Sequence, residues 1–415
     1  MKVLLKEKDS TRKSNNKTHV DTLYRILFVL SIVHLFNDMI QALVTAMFPI
    51  FETEMGLSYT KIGFIAFSLN MTASVIQPVV GLYTDKRPMP YALPIGMIFT
   101  FIGVILLAIS SDFSSLIISV ILIGVGSATF HPEGSRVAHM VAGSKRGLAQ
   151  SIFQVGGNLG QSSAPLITAL LLVPLGQFGA IYFTAVVGIA IILLLYIARW
   201  YKDTISLQNQ NENHTNEKKY IPKKYKKKVL FSFSLLLFLV FVRSWFDAGI
   251  GSYYQFFAIE KYKISISEAQ IYLFIFLASG ALGTFLGGPL SDKIGKKNTL
   301  IFSLVGAIPF ALILPYANQL WAYPLISTVG FITFSGFSVA VVYAQELIPG
   351  KIGVVSGSVV GLAFGMGAIG SVLFGGIADL MNIGFAITCA TILPIIGILT
   401  FLLPKDKWVY NIYSK

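Results

Sequence analysis

Asp38 lies about fifteen residues into an apolar run that begins near residue 23, a depth close to mid-membrane for a helix rising ~1.5 Å per residue. His34, Asp38, Gln41 and Thr45 follow an i, i+4, i+7, i+11 spacing, which places all four on one helix face. A carboxylate in hydrocarbon is costly unless it is paired, hydrated or protonated, so the chemistry this stripe suits is reversible protonation. A second apolar run repeats the theme with Arg243 and Asp247 at i, i+4. Those two could neutralise each other, or Arg243, with His34 or Arg136, could draw in an anionic head group.

A third group is His131-Pro132-Glu133-Gly134-Ser135-Arg136. Glu133 and Arg136 are neighbours on a helix face, and Pro132 favours a kink. This segment could be a proton relay, an anion site or an interfacial end cap. The expected protonation sites are Asp38 and Glu133, with His34, His131 and Asp247 as partners. Gln150, Gln154, Asn158 and Gln161 share roughly one face of another helix. Amides in hydrocarbon need partners, so that face should line a cavity or a seam between helices. Together with Gln41, Arg136, Arg243 and Tyr254, of the aromatic cluster that starts at Trp245, Gln150, Gln154 and Asn158 are the candidates for contacting a substrate. No metal site is expected, because two histidines on separate helices lack paired Cys/His ligand spacing. The single cysteine, Cys389, reads as a small packed residue.

The elements that must hold these residues are membrane spans. The chain has 415 residues, 54% of them apolar and 12% charged. Soluble domains carry about 25% charged residues. Apolar runs long enough to cross a core of roughly 30 Å recur throughout, and the alternating segments of a β-barrel are missing. We expect an all-α polytopic membrane protein with spans near 23–51, 60–83, 91–110, 115–138, 147–173, 179–200, 229–258, 268–290, 297–316, 320–346, 352–378 and 383–404. Residues 1–22 form a polar tail without signal-peptide features, 23–201 one six-helix bundle, 202–228 a basic linker, 229–404 a second bundle and 405–415 a tail.

The net charge of +13 is topological rather than a nucleic-acid footprint. Of 32 Lys and Arg residues, all but Lys61, Arg243, Lys261 and Lys263 (32 − 4 = 28) fall on one side of the membrane if the N-terminus is cytoplasmic. Both termini are therefore expected inside, in a cell or inner membrane. The expected partners are a small-molecule substrate, protons and the lipid bilayer, with no nucleic acid, no cofactor beyond a proton gradient, and a functional monomer.

The two bundles look duplicated. Gly81-Leu82-Tyr83-Thr84-Asp85-Lys86-Arg87 matches Gly288-Pro289-Leu290-Ser291-Asp292-Lys293 at an offset of 207 (288 − 81). His34 and Asp38 match Arg243 and Asp247 at 209 (243 − 34), and Lys145 matches Lys351 at 206 (351 − 145). Both halves share one in/out orientation, which makes them parallel repeats. In the turns, Gly81 and Gly288 should permit close helix approach, while Asp85 and Asp292 accept from Lys86, Lys293, Lys296 or a facing helix N-terminus. Such latches could make and break as two lobes rock.

This repeated turn resembles the signature loop of the major facilitator superfamily, whose pattern is Gly-x-x-x-Asp-(Arg/Lys)-x-Gly-(Arg/Lys)-(Arg/Lys). The second copy, ending in Gly295-Lys296-Lys297, is the fuller; the first departs at Pro88-Met89-Pro90. Within that superfamily, the run from Phe130 to Ala138, the run from Gly147 to Asn158, Gln77-Pro78-Val79-Val80-Gly81 and Thr84-Asp85-Lys86 look like the fosmidomycin-resistance branch. The resemblance is strongest over 34–167. It implies a drug/proton antiporter-like exporter of the major facilitator fold, and a phosphonate-like substrate. One departure bears on mechanism: the span-four arginine typical of such antiporters is Val120 here, ahead of Gly124 and Gly126. The residues alone also allow an importer or facilitator of a metabolite, a membrane receptor, or an integral membrane enzyme built on His131 and Glu133.

Overall fold

The computed structural model describes residues 22–143, 146–208, 223–349 and 352–413. Twelve helices in it are long and apolar enough to cross a membrane. They are α1 (Tyr24–Ala46), α2 (Tyr59–Thr84), α3 (Ala92–Ile109), α4 (Phe113–Val141), α5 (Ala149–Leu175), α6 (Gln177–Ile205), α7 (Lys226–Tyr262), α8 (Ile266–Ile294), α9 (Lys296–Tyr316), α10 (Gln319–Leu347), α11 (Ser358–Leu380) and α12 (Ile383–Leu402). Each corresponds to an expected span. Residues 209–222 of the linker expected over 202–228 lie outside the described residues, while α6 runs on into its start and α7 begins before its end.

The polar residues at the turns explain where these helices start. Ser58, Asp112, Ser265, Asn318 and Asn382 each accept a backbone N–H at the amino end of α2, α4, α8, α10 or α12. At α6 the Glu54 carboxylate takes this part, accepting Gln177 N–H at 3.2 Å. All six even-numbered helices thus begin at one end of the molecule and run toward the end that carries the basic connections. Their last turns and following loops hold Arg87, His139, Lys202, Lys293, Lys405 and Lys407, positive charge where helix dipoles favour it.

Helices α1–α6 and α7–α12 form two bundles. In the first, α1 packs on α5 and α4 on both α2 and α3; in the second, α8 packs on α10, and α7 on α11 and α12. The bundles meet mainly through α2 against α11 and α5 against α8. Most of the interlobe hydrogen bonds gather at the end opposite the basic loops, while Ser74 Oγ of α2 donates to Gly361 O of α11 at 2.7 Å further along. There the Asp379 carboxylate of α11 accepts the backbone N–H groups of Tyr59 and Thr60 at 2.9 and 2.8 Å, capping α2 from the other lobe. Tyr59 Oη donates to Glu260 at 2.7 Å, and Gln255 and Gln270 donate to the carbonyls of Thr45 and Ala46 at 3.0 and 2.9 Å. Close packing follows the same line: a Cβ on Gly63 would lie 2.6 Å from Ser371 O, and one on Gly375 2.3 Å from Tyr59 O. The ends of α1 and α7 that carry Thr45 and Gln255 lie side by side, as parallel repeats require.

Toward the basic end the lobes separate. A Cβ on Gly288 would meet nothing within 4 Å, and Val79, Leu82 and Phe285 are exposed. The close approach expected of Gly81 and Gly288 is therefore not made in this conformation: Gly81 has only ordinary contact with Pro132 of its own lobe. Asp292 and Lys293 are exposed, while the amino end of α9 is capped by Asp406, which accepts Lys296 N–H and Lys297 N–H at 2.7 and 3.1 Å. Lys296 Nζ instead pairs with Glu346 at 3.0 Å. Gly295, at φ 90°, makes the α8–α9 turn that this cap needs. The side chains of Asp85 and Lys86, together with Lys145 and Lys351, lie outside the described residues.

This arrangement predicts that Asp379→Ala weakens the closed end. Loss of a helix cap costs about 1 kcal/mol, which is about a fivefold shift in a two-state equilibrium. Spin-label distances between the lobes at the Tyr59 end should lengthen on average in the variant. An unchanged distance distribution would show that the cap does not hold the lobes together.

Candidate functional site

The site begins with how closely α1 and α5 can approach. A Cβ on Gly156 would lie 2.1 Å from Ser31 O, and one on Gly160 2.2 Å from Leu35 O, so the two backbones touch. Ser31 Oγ donates across the seam to Ile152 O at 2.7 Å. Between the two contacts, Gly157 leaves room for side chains: its Cβ would fall 2.5 Å from His34 Nε2 and 2.7 Å from Asp38 Oδ2. Phe153 stacks on the His34 ring at 4.1 Å between centroids, and Phe130 lies 5.5 Å away.

Into this space α4 brings His131. Asp38 Oδ2 faces His34 Nε2 at 3.4 Å, and Asp38 Oδ1 faces His131 Nε2 at 3.3 Å. Asn37 Nδ2 donates to Oδ1 at 2.9 Å, and Gln161 Nε2 to Oδ2 at 3.1 Å. Each imidazole is tied at its other nitrogen to the backbone, His34 Nδ1 to Phe153 O at 2.7 Å and His131 Nδ1 to Ser127 O at 3.0 Å. His34 and Asp38 are sealed, with side chains 1% and 3% exposed, whereas His131 is 26% exposed. The result is a buried carboxylate with one partner shut in and one partner reachable. The three donor atoms lie within 4.8 Å of one another, so a small cation as well as a proton could bridge them. Reading the two histidines as lying on separate helices overlooked that folding joins them through Asp38.

The second lobe carries the repeat of this arrangement with different chemistry. Arg243 Nε faces Asp247 Oδ2 at 3.4 Å, the same i, i+4 geometry as His34 and Asp38. The position of His131 is taken by Phe337, at an offset of 206 (337 − 131). A break in the helix at Gly336 lets Phe334 and Phe337 both lie against the guanidinium, 5.2 and 5.0 Å from its carbon. Arg243 is 7% exposed and Asp247 23%. An anion must therefore take Arg243 from Asp247 rather than find it open.

Other candidates are placed elsewhere. Glu133 is fully buried inside the first lobe, 3.6 Å from Arg136 Nε and 3.5 Å from Tyr201 Oη. Arg136 also donates to the Thr84 carbonyl and, at 3.2 Å, to Thr84 Oγ1. These contacts tie α2, α4 and α6 together and face away from the exposed side of His131. Tyr254 is enclosed in an aromatic stack with Phe257 and Tyr272. Gln41 is half-buried. Gln150 and Gln154 are exposed and Asn158 is half-buried, with Gln154 donating to Asn158 at 3.4 Å. They continue the helix face of Gln161 away from Asp38, and exposed amides on that face fit water rather than lipid. Reading the sequence missed Asn37, Ser127, Phe153 and Gly157. Ser127 is four residues before His131, which is a legible helical signal; the others needed the α1–α5 pairing.

The chain resembles known proteins along nearly its whole length. The family model of the Major Facilitator Superfamily matches residues 30–360. An uncharacterized MFS-type transporter of Bacillus subtilis (strain 168) is 51% identical, covering 93% of this chain and 94% of that protein. The fosmidomycin resistance protein of Escherichia coli (strain K12) is 44% identical, covering 94% and 95%. Among solved structures, a D-xylose-proton symporter superimposes with a TM-score of 0.71 at 16% identity, covering 93% of this chain and 99% of that one.

Proposed function

This chain belongs to the Major Facilitator Superfamily, and on that premise we propose that it is a proton-coupled secondary transporter exporting a small anionic or amphiphilic compound by alternating access. It is a multi-pass membrane transporter, not an enzyme. With the basic loops in the cytoplasm, the lobes are closed outside and parted inside, the state in which an exporter loads. The observation that carries the reading is Asp38: a carboxylate sealed at mid-span and held by two imidazoles, one of them partly exposed. A group of that kind can take and give a proton only when the lobes expose it. Arg243, released from Asp247, supplies the charge for an anionic head group, and the amides of Gln150, Gln154 and Asn158 supply a wet lining. The resemblance to a fosmidomycin resistance protein favours export of a phosphonate, and the protein is expected to work as a monomer in the plasma or inner membrane.

The test is direction. Inverted vesicles containing the protein and an inward-acid gradient should accumulate labelled fosmidomycin above its outside concentration. Accumulation in right-side-out vesicles with the outside acid, and none in inverted ones, would make the protein an importer.

A further inference from the structure

The imidazole–carboxylate distances at Asp38 are long for hydrogen bonds. Charge-assisted N–H···O contacts to a carboxylate close to about 2.7–2.9 Å. His34 Nε2 stands 3.4 Å from Asp38 Oδ2, and His131 Nε2 stands 3.3 Å from Oδ1. His34 Nε2 is buried and has no hydrogen-bond partner among the described residues. Such an atom is costly unless something placed between the groups satisfies it. Donor atoms about 2.0–2.1 Å from a tetrahedral zinc ion lie about 3.3–3.4 Å from one another. The spacing at Asp38 is that of ligands sharing one small ion.

The surroundings fit the same use. An imidazole that ligates through one nitrogen donates its other N–H to a carbonyl or carboxylate, which fixes the ring. His34 Nδ1 meets the Phe153 carbonyl at 2.7 Å; a carbonyl only accepts, so in the neutral ring the lone pair is at Nε2. His131 Nδ1 meets both Ser127 O at 3.0 Å and Ser127 Oγ at 3.2 Å. As an N–H it donates to the carbonyl and leaves the Nε2 lone pair for an ion. In the other tautomer it accepts the hydroxyl, and Nε2–H faces Asp38 at a distance too long for a good bond to a carboxylate. Each Asp38 oxygen is steadied by an amide, Oδ1 by Asn37 and Oδ2 by Gln161, the outer contacts a ligating carboxylate needs. Phe130 and Phe153 wall in His34, while His131, 26% exposed, leaves a side by which an ion can enter. The three donor atoms lie within 4.8 Å of one another, and inward closure of the His131 ring brings the widest pair into reach of one ion.

We propose that His34 Nε2, the Asp38 carboxylate and His131 Nε2 bind one divalent transition-metal ion of the zinc class, with a water in the remaining position on the His131 side. Two imidazoles and one carboxylate select such an ion over magnesium or calcium, which take oxygen ligands. The site replaces the expectation that histidines on separate helices hold no metal: folding of α4 against α1 supplies the ligand set that sequence spacing lacks. The inference does not rest on proton coupling. It concerns what these three side chains can hold, and its test reads the ion rather than transport.

The test uses the whole protein in detergent, without a histidine tag, stripped of metal by a chelator that is then removed. Zinc titrated against a chromophoric competitor should bind as one ion per chain. His139→Ala, at an exposed histidine outside the cluster, should bind like the wild type. Gln161→Ala removes only a support of the carboxylate and should weaken binding about 10–100-fold. His131→Ala removes a ligand and should weaken it more; because that ring is partly exposed, the variant should still elute as a single peak at the wild-type position in size exclusion. Cobalt in place of zinc should give the wild type the strong visible bands of a four-coordinate ion, and His131→Ala should lose them. Magnesium should not displace either ion. A wild-type chain that takes up no zinc would overturn the inference, as would displacement of zinc by equimolar magnesium. So would uptake unchanged in both His131→Ala and Asp38→Asn, which would put the ion elsewhere.

Discussion

Asp38→Asn abolishes transport driven by a pH gradient and leaves the protein in the membrane: that is the largest effect expected of a single change here. The amide has one acceptor oxygen where the carboxylate had two. Its NH2 group would face a donor on either side, Gln161 Nε2 or Asn37 Nδ2. With the negative charge gone, nothing nearby stabilises a charged imidazole. Removing one partner of a buried ion pair costs about 3–5 kcal/mol, and 3 kcal/mol is about a hundredfold in proton affinity. Insertion and folding should survive, because the α1–α5 seam rests on glycine backbone contacts rather than on this charge. In inverted vesicles with an imposed gradient, the variant should show no gradient-driven fosmidomycin movement at wild-type expression. Wild-type rates would remove Asp38 from the mechanism.

The second large effect separates function from stability on one helix. At Gly157 an added methyl meets His34 Nε2 and Asp38 Oδ2, side-chain atoms rather than backbone. At Gly156 it meets Ser31 O, which can move only with the backbone. Gly157→Ala should therefore lose less thermal stability than a change at Gly156 while gradient-driven transport is lost, because the pairs at 3.4 and 3.3 Å are pushed apart. Gly156→Val should unfold at clearly lower temperature, since overpacking against a rigid partner costs about 1–3 kcal/mol or more. Thermal unfolding followed by size-exclusion chromatography, read beside transport, distinguishes the two. Full transport by Gly157→Ala would show that the cluster is not where coupling occurs.

Much of this was legible in the sequence for a simple reason. A membrane span must satisfy its backbone internally, so apolar length alone gives the helices. The same constraint makes Asp38, His34, Arg243 and Asp247 conspicuous, because an ionisable group in an apolar run demands a reason. Intrahelical pairs followed from period: His34–Asp38 and Arg243–Asp247 are i, i+4, and both are close in the fold. Contacts between helices did not follow. That His131 reaches Asp38 depends on how α4 crosses α1, and that Glu133 turns toward Tyr201 depends on α6. Two residues along α4 turn the helix by about 200°, so Glu133 and His131 point to opposite sides despite lying so close in sequence. The close approach expected of Gly81 and Gly288 is likewise not made in this conformation, whereas Gly156 and Gly160 are contact points, and composition carries no information about which end is open. The Asp379 cap was invisible because its partner is a backbone amide some 320 residues away (379 − 59).

The most direct measurement is of the proton itself. Inverted vesicles energised to hold an acid interior, and reporting it with a pH-sensitive dye, should lose part of the gradient when fosmidomycin is added. That loss should need the protein and should vanish in Asp38→Asn. Movement of labelled fosmidomycin through the wild-type protein with no change in the dye signal would contradict it, since the compound would then cross without exchanging for a proton.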